Sequence, residues 1–171
     1  MARIDTTQSD AILAILEHFR SFHSLDNSQA YLGLFPDAPI IPHGGTDWYM
    51  LSPGDGQFDE GLFDGGGEDQ CNEQSTLTVT GYCRTHLDPT DRDDALLTDS
   101  TTGLLEAKRK ILRALAGKDV TLSGGDTFLR ELLTPIRASA PTAGKLEGEG
   151  LGVTLAFTSV DFLCSFDWDL S

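Results

Sequence analysis

The segment from Thr76 to Arg84 constrains the fold more than any other part of the sequence. Its side chains alternate between apolar and polar, the period-two pattern of a half-buried β-strand. The apolar face carries Leu77, Val79 and Cys83, and the other face carries Thr76, Thr78, Thr80, Tyr82 and Arg84. We expect the first face to lie in the core and the second to be wet or packed against polar groups. Gly81 interrupts the apolar face and predicts a bulge, a bend or a close backbone approach.

Two segments on either side of this strand have the apolar spacing of amphipathic helices. The first is predicted from about Gln8 to Phe22, with Ser9, Thr6 or Thr7 as its N-cap. The second is predicted from about Thr102 to Ala116, with a cap among Ser100, Thr101 and Thr102 and with Gly117 at its C-terminal end. The expected core residues of the helices are Ile12, Ile15, Leu16, Phe19 and Phe22, then Leu104, Leu105, Ala107, Ile111, Leu112 and Leu115. We expect His18 and His23 to be partly exposed helix residues rather than ligands.

Three further segments are predicted to be strands. Thr46 to Leu51 is rich in aromatic residues, and Pro135 restricts the segment from Leu132 to Ser139 to an edge strand. Leu151 to Phe157 continues toward Val160 and Cys164 and forms an antiparallel hairpin with the edge strand, across a turn or loop from Pro141 to Gly150. The apolar tail residues Phe162, Phe166, Trp168 and Leu170 are expected to pack on the domain or on another subunit. The predicted fold class is therefore α+β, a mostly antiparallel sheet of about four strands flanked by two amphipathic helices.

Length and composition favour one folded domain over residues 1–171. A chain of 171 residues can bury a core without a metal or a disulfide. Ser52 to Asn72, however, is rich in glycine and carboxylates and has only Phe58, Leu62 and Phe63 as apolar anchors. We expect this segment to be a long acidic loop, either a mobile arm that orders against a partner or a flexible hairpin end.

The net charge of −15, with 27 acidic and 12 basic side chains, argues against nucleic-acid binding and against docking on an anionic membrane. Three cysteines without paired spacing favour a reducing compartment, and the apolar run near the N-terminus is too short for a signal peptide. We therefore expect the protein to fold in cytoplasm.

No motif in the sequence indicates catalysis or a cofactor. His43, Cys71, Cys83 and His86 lack the paired spacing of a zinc site, and the acidic run from Asp88 to Asp99 lacks the glycine and the final Glu of an EF-hand. No phosphate-binding glycine loop and no nucleophile elbow occurs. The expectation is a protein that is not an enzyme and binds no metal. A small metal-dependent hydrolase built on those four residues is the alternative.

The run T-L-T-V-T-G-Y-C-R-T-H-L-D, followed by G-L-L-E-A-K-R-K-I-L-R-A-L-A-G-K, resembles the tail-terminator or head–tail joining proteins of long-tailed bacteriophages and prophages. The resemblance covers about Asp47 to Phe166 and is one of pattern. It implies a small α+β structural subunit that forms a ring, typically a hexamer, on the end of the tail tube and presents a surface to the head connector. It implies no catalytic residues, and it places the protein in the bacterial cytoplasm during assembly and then in the virion tail.

The second helix ends in a basic cluster that suggests how such a ring could be held together. Lys108, Arg109, Lys110, Arg113 and Lys118 are five of the chain's 12 basic residues. Compensation of the helix dipole explains part of this cluster, and a solvated helix face is the plainer interpretation. The hypothesis for a subunit interface consists of Lys108, Arg109, Arg113, Tyr82, Arg84, Phe58 and Phe63. The remaining alternative is a monomeric module that uses the acidic loop to bind a basic partner.

Overall fold

The computed structural model describes residues 8–34, 47–58, 70–84, 97, 100, 103–121, 127–128, 133–145 and 154–169. Two helices and eight strands lie in this part of the chain. In chain order they are α1 (Gln8–His23), β1 (Ala30–Leu32), β2 (Asp47–Phe58), β3 (Gln70–Arg84), α2 (Leu104–Leu115), β4 (Val120–Thr121), β5 (Thr127–Phe128), β6 (Leu133–Ala138), β7 (Thr142–Lys145) and β8 (Thr154–Asp169).

The strands form one large sheet and a separate two-stranded ribbon of β4 and β5. The strand order of the large sheet is β1-β2-β3-β8-β6, and β7 also pairs with β8. β1 runs parallel to β2, whereas the other pairs in the sheet are antiparallel. This arrangement confirms the α+β class and the mostly antiparallel sheet. It adds two short strands: β7 lies within the segment predicted to be a turn or loop, Pro141 to Gly150, and β1 lies in a segment for which no strand was predicted.

β3 is the central strand, and its prediction from alternation is confirmed. It pairs with β8 over its whole length, from Gln70 opposite Asp169 to Arg84 opposite Leu155. β3 begins six residues before the alternating segment, at Gln70, because β2 and β8 also pair with the residues that precede Thr76. The predicted loop from Ser52 to Asn72 is therefore wrong at both ends, since Ser52 to Phe58 belong to β2 and Gln70 to Asn72 belong to β3. Residues 59–69, including Phe63, lie outside the described residues.

Both helices pack on the same face of the sheet, where they bury the apolar side of β3. The core there contains Leu77 and Val79 of β3, Val160 and Phe162 of β8, and the inner faces of α1 and α2. Burial of these apolar side chains is the main source of stability in a fold of this kind. The expected core residues Ile12, Ile15, Leu16 and Phe19 are confirmed. Phe22 is 44% exposed and Leu105 is 50% exposed, so both predictions were wrong.

The opposite face of the sheet is not uniformly wet. Trp48, Met50 and Tyr82 form a second buried cluster there, and the rings of Trp48 and Tyr82 stack with centroids 5.5 Å apart. Thr76 and Thr78 lie farther along the same face of β3 and are half-buried. The expectation of a polar environment is thus wrong at the Tyr82 end, because β2 places Trp48 directly opposite Tyr82.

The predictions for the two ends of α2 are only partly confirmed. The N-cap residue is Gly103, which has no side chain that could cap the helix. The predicted cap among Ser100, Thr101 and Thr102 is therefore wrong. Gly117 has a φ of +62°, the left-handed conformation in which glycine commonly terminates a helix. In α1, Ser9 lies inside the helix rather than at its cap.

The hairpin at the end of the chain is confirmed in outline. β6 pairs with β8 from Leu133 opposite Cys164 to Ala138 opposite Val160, with a register shift between Pro135 and Arg137. β7 replaces part of the predicted loop and extends the same edge. Phe162 is buried, and the backbone of Phe166 and Trp168 pairs with β3. Leu170 lies outside the described residues.

Candidate functional site

A half-buried ion pair fixes α2 on the sheet. The Lys110 Nζ lies 2.9 Å from Asp47 Oδ2 at the start of β2, and the Tyr49 hydroxyl donates a hydrogen bond to the same carboxylate oxygen at 3.2 Å. Burial raises the pKa of the Tyr49 hydroxyl well above its usual range, and the neighbouring Asp47 carboxylate raises it further. Tyr49 therefore stays protonated and serves as a fixed donor. Because Lys110 is engaged with Asp47, it is not part of the exposed basic surface of α2.

Two half-buried histidines join α1 to α2. The His18 Nε2 lies 3.0 Å from the Ala114 carbonyl, and the His23 Nε2 lies 2.9 Å from the Lys110 carbonyl. Each ring donates from Nε2, since a carbonyl oxygen can only accept. Burial lowers the pKa of His23, and the nearby charges of Lys110 and Arg113 lower it further. The two helices are antiparallel neighbours, because His23 follows His18 in α1 while its partner Lys110 precedes Ala114 in α2.

The outward side of α2 carries an apolar and cationic surface that we call the α2 flank, formed by Leu105, Arg109 and Arg113. Leu105 is 50% exposed, and both arginines are exposed. Arg109 pairs with Glu106 one turn earlier, with Nε 2.7 Å from Oε2. Arg113 makes no ion pair within the described part of the chain. The α2 flank is thus a net positive ridge beside an exposed leucine, on a chain of charge −15.

The outward side of α1 carries the opposite charge. Leu13 is 48% exposed, and Glu17 follows it by one turn and is also exposed. We call these two residues the α1 flank. Leu13 lies about 140° around α1 from His18, and Leu105 lies about 180° around α2 from Ala114. Because His18 and Ala114 mark the contact between the helices, the two leucines lie on opposite outer sides of the helical layer.

The residues of the interface hypothesis are only partly brought together. Arg109 and Arg113 are exposed neighbours on α2, and Lys108 is half-buried on the same helix. Tyr82 is 2% exposed and stacks on Trp48, so its ring is not available at the surface of the isolated chain. Arg84 and Phe58 end β3 and β2, and nothing is described of their side chains. Phe63 lies outside the described residues.

Sequence reasoning missed Leu13 and misplaced Leu105. Both are leucines next to buried residues in apolar helices, and apolar spacing alone assigned Leu105 to the core side. The spacing of charges does not separate them from the core leucines, because the buried Leu16 and Leu104 also lie one turn before a charged residue, Arg20 and Lys108. Their exposure follows from how each helix is rotated on the sheet.

The edges of the sheet are poor surfaces for adding another strand. β1 has three residues, and β6 carries Pro135 and a register shift before Arg137. Short edge strands, proline and bulges are the features by which natural sheets avoid edge-to-edge pairing. Ile136 is nevertheless 54% exposed on β6. The helical layer is therefore the better candidate for a specific contact.

The thiols and acidic groups of the described residues do not form a reactive centre. Cys83 and Cys164 are buried, and burial raises the pKa of the Cys164 thiol to about 12. Among the described residues, no group of three His, Cys, Asp or Glu side chains is placed to hold a metal ion. His43 and His86 lie outside these residues, and nothing is described of the Cys71 side chain. In the same part of the chain, no helix is both long and apolar enough to span a membrane.

Comparison with known proteins finds a distant structural similarity. No protein-family model matches the chain, and no curated protein matches it. A solved structure described as "Virion of native gene transfer agent (GTA) particle" contains a chain with 14% sequence identity and a TM-score of 0.43, over 93% of this chain and 99% of that chain. Both values are too low to transfer a fold or a function.

Proposed function

We propose that this chain is a structural subunit of a phage or prophage tail. In this role it assembles with copies of itself into a ring, which caps the tail tube and joins it to the head. Two features support the proposal: the sequence pattern from about Asp47 to Phe166, described above, and the surface of the helical layer. The partners are other copies of the chain, the tail-tube protein and the head connector.

The observation that carries self-assembly is the α2 flank. Arg109 and Arg113 are exposed next to Leu105, whose side chain is 50% exposed. Contacts between proteins commonly combine apolar side chains with arginine, which is enriched where two proteins meet. A second copy with net charge −15 offers abundant carboxylates for these arginines. The contact is therefore expected to combine apolar burial with attraction between opposite charges.

Size-exclusion chromatography with light scattering tests this proposal. We expect a concentration-dependent oligomer at low salt that dissociates at high salt, because ions screen exposed charge pairs. A chain that stays monomeric at every protein concentration in low salt contradicts the proposed ring and favours the monomeric binding module.

A pair of charge-matched variants refines the test. Arg113→Gln removes one positive charge from the α2 flank, and we expect the dissociation constant to rise by about two- to fivefold. Asn27→Asp makes the same change in net charge at an exposed turn between α1 and β1. If both variants weaken assembly equally, net charge rather than the α2 flank controls it.

A further inference from the structure

The exposed sides of the two helices are complementary to each other. The α1 flank presents Leu13 followed one turn later by the carboxylate of Glu17, and the α2 flank presents Leu105 followed one turn later by the guanidinium of Arg109. The exposed fractions of the two leucines are 48% and 50%. Arg109 is already paired with Glu106, so the uncompensated positive charge of the α2 flank is Arg113, one turn farther along. Each helix therefore offers an apolar centre and a nearby charge, and the charges are opposite in sign.

These two surfaces cannot meet within one chain. His18 and His23 hold α1 beside α2 through the carbonyls of Ala114 and Lys110. Leu13 and Leu105 point away from that contact, to opposite sides of the layer. No described residue of the same chain covers them, which leaves both available to a second copy.

We infer that the α2 flank of one copy packs against the α1 flank of the next copy. This inference rests on the proposed function and names the surfaces that would hold the ring together. Leu13 and Leu105 form the apolar centre of the contact, while Glu17 meets Arg113, the arginine of the α2 flank that is not paired with Glu106. The helical layer of one copy then continues into that of its neighbour.

Such a contact is heterologous, since two different surfaces of the same chain meet. Every copy retains one unused flank after its first contact, so further copies can add to it. The assembly closes into a ring when the rotation between neighbours brings the last copy back to the first, and it otherwise grows as an open filament. The proposed ring requires the closing rotation. A symmetric dimer would instead use the same surface on both copies and would stop at two.

Two pairs of substitutions separate these arrangements. Leu13→Gln with Glu17→Gln blocks the α1 flank, and Leu105→Gln with Arg113→Gln blocks the α2 flank. Glutamine is a good helix former and introduces no new charge pair between the variants. We expect each variant alone to lose the larger oligomer, with an apparent dissociation constant raised about tenfold or more. Ile136→Gln, which changes an exposed apolar residue on β6, is expected to leave assembly unchanged.

Mixing the two blocked variants gives the decisive result. One variant keeps an intact α2 flank and the other keeps an intact α1 flank, so together they have one working contact. We expect a one-to-one heterodimer by light scattering and no larger species. Far-UV circular dichroism and the urea midpoint of each variant show whether it remains folded.

The failures of the two proposals are distinguishable. A wild-type chain that is monomeric at all concentrations contradicts the ring itself. A wild-type oligomer that persists in both blocked variants leaves the ring in place and refutes the α1–α2 contact. A mixture of folded blocked variants that stays monomeric refutes it as well, and so does a symmetric dimer of either variant alone.

Discussion

Gly81 lies directly opposite Tyr49 in the β2–β3 ladder, and the absence of a side chain at Gly81 lets Tyr49 and α2 approach the strand. A Cβ atom on Gly81 would lie 3.1 Å from Tyr49 Cε1 and 3.0 Å from Ala107 Cβ. No register shift occurs here between β3 and β2 or β8. Of the three reasons predicted for a glycine at this position, close approach is the one observed. The contact brings α2, β2 and β3 together at one point of the core.

Substitution of this glycine is the first prediction. Gly81→Ala is expected to destabilise the fold by about 1–3 kcal/mol, because overpacking outweighs the gain in backbone rigidity. Urea unfolding measures the change. A double-mutant cycle with Ala107→Gly is expected to show positive coupling, since the second substitution removes one of the two clashing atoms. An unchanged or raised stability of Gly81→Ala would show that the space between α2 and β3 is larger than described.

The second prediction concerns the ion pair between α2 and β2. Lys110→Met is expected to lower the free energy of unfolding by about 1–3 kcal/mol, because Asp47 keeps its charge in a half-buried place after its partner is removed. The side chains of Lys110 and Asp47 are 25% and 14% exposed, so the pair is only partly screened by solvent. Lys108→Met is the control, as Lys108 forms no ion pair within the described part of the chain. Equal losses for the two variants would contradict a specific role for Lys110.

The third prediction is a pH dependence from His23. Its folded pKa lies below the ordinary value of 6.5, chiefly because the ring is partly buried and also because Lys110 and Arg113 are close; the hydrogen bond to the Lys110 carbonyl and the charge of Glu106 act in the opposite direction. The unfolded chain therefore binds more protons at this site just below pH 6.5, and stability falls as the pH decreases. The contribution of the neutral His23 ring to the free energy of unfolding is fully present above the pKa of the unfolded chain. It is lost as the pH falls through the pKa of the folded chain.

His23→Gln isolates this effect from the carboxylates. The glutamine amide can still donate to the Lys110 carbonyl but does not titrate. We expect the stability difference between wild type and variant, measured by urea unfolding across pH 5 to 8, to change in favour of the variant as the pH falls. A constant difference over that range would mean that His23 is protonated equally in the folded and unfolded chains.

The fourth prediction concerns the buried thiol of Cys164. Its pKa of about 12, against an ordinary value of 9.0, lowers the fraction of reactive thiolate at neutral pH by roughly a thousandfold. Alkylation by iodoacetamide, followed by mass spectrometry of the peptides, is expected to leave Cys164 unmodified in the native protein. The same reaction in denaturant is the control and should modify it fully. Rapid labelling of Cys164 in native conditions would indicate opening of the β8 core.

Local patterns in the sequence were sufficient for most of the elements. Alternation identified β3, apolar spacing identified α1 and α2, and Pro135 indicated that β6 is an edge strand. These signals depend on residues that are near one another in the chain. Local patterns did not predict which residues of the interface hypothesis are exposed. Tyr82 is buried because Trp48 lies opposite it on β2, and this pairing depends on a register that no local pattern encodes.

The sequence by itself determined the α+β class, the central strand and the apolar faces of the two helices, because each follows from the spacing of side chains along one element. Only the tertiary structure decided that both helices cover the same face of the sheet, that β1 joins it in parallel, and that Leu13 and Leu105 remain exposed. These features depend on how elements far apart in the chain are rotated and paired. Burial of the apolar faces of α1 and α2 on the sheet sets that rotation for the helical layer. The hydrogen bonds of His18 and His23 join the two helices side by side, with the two flanks facing outward.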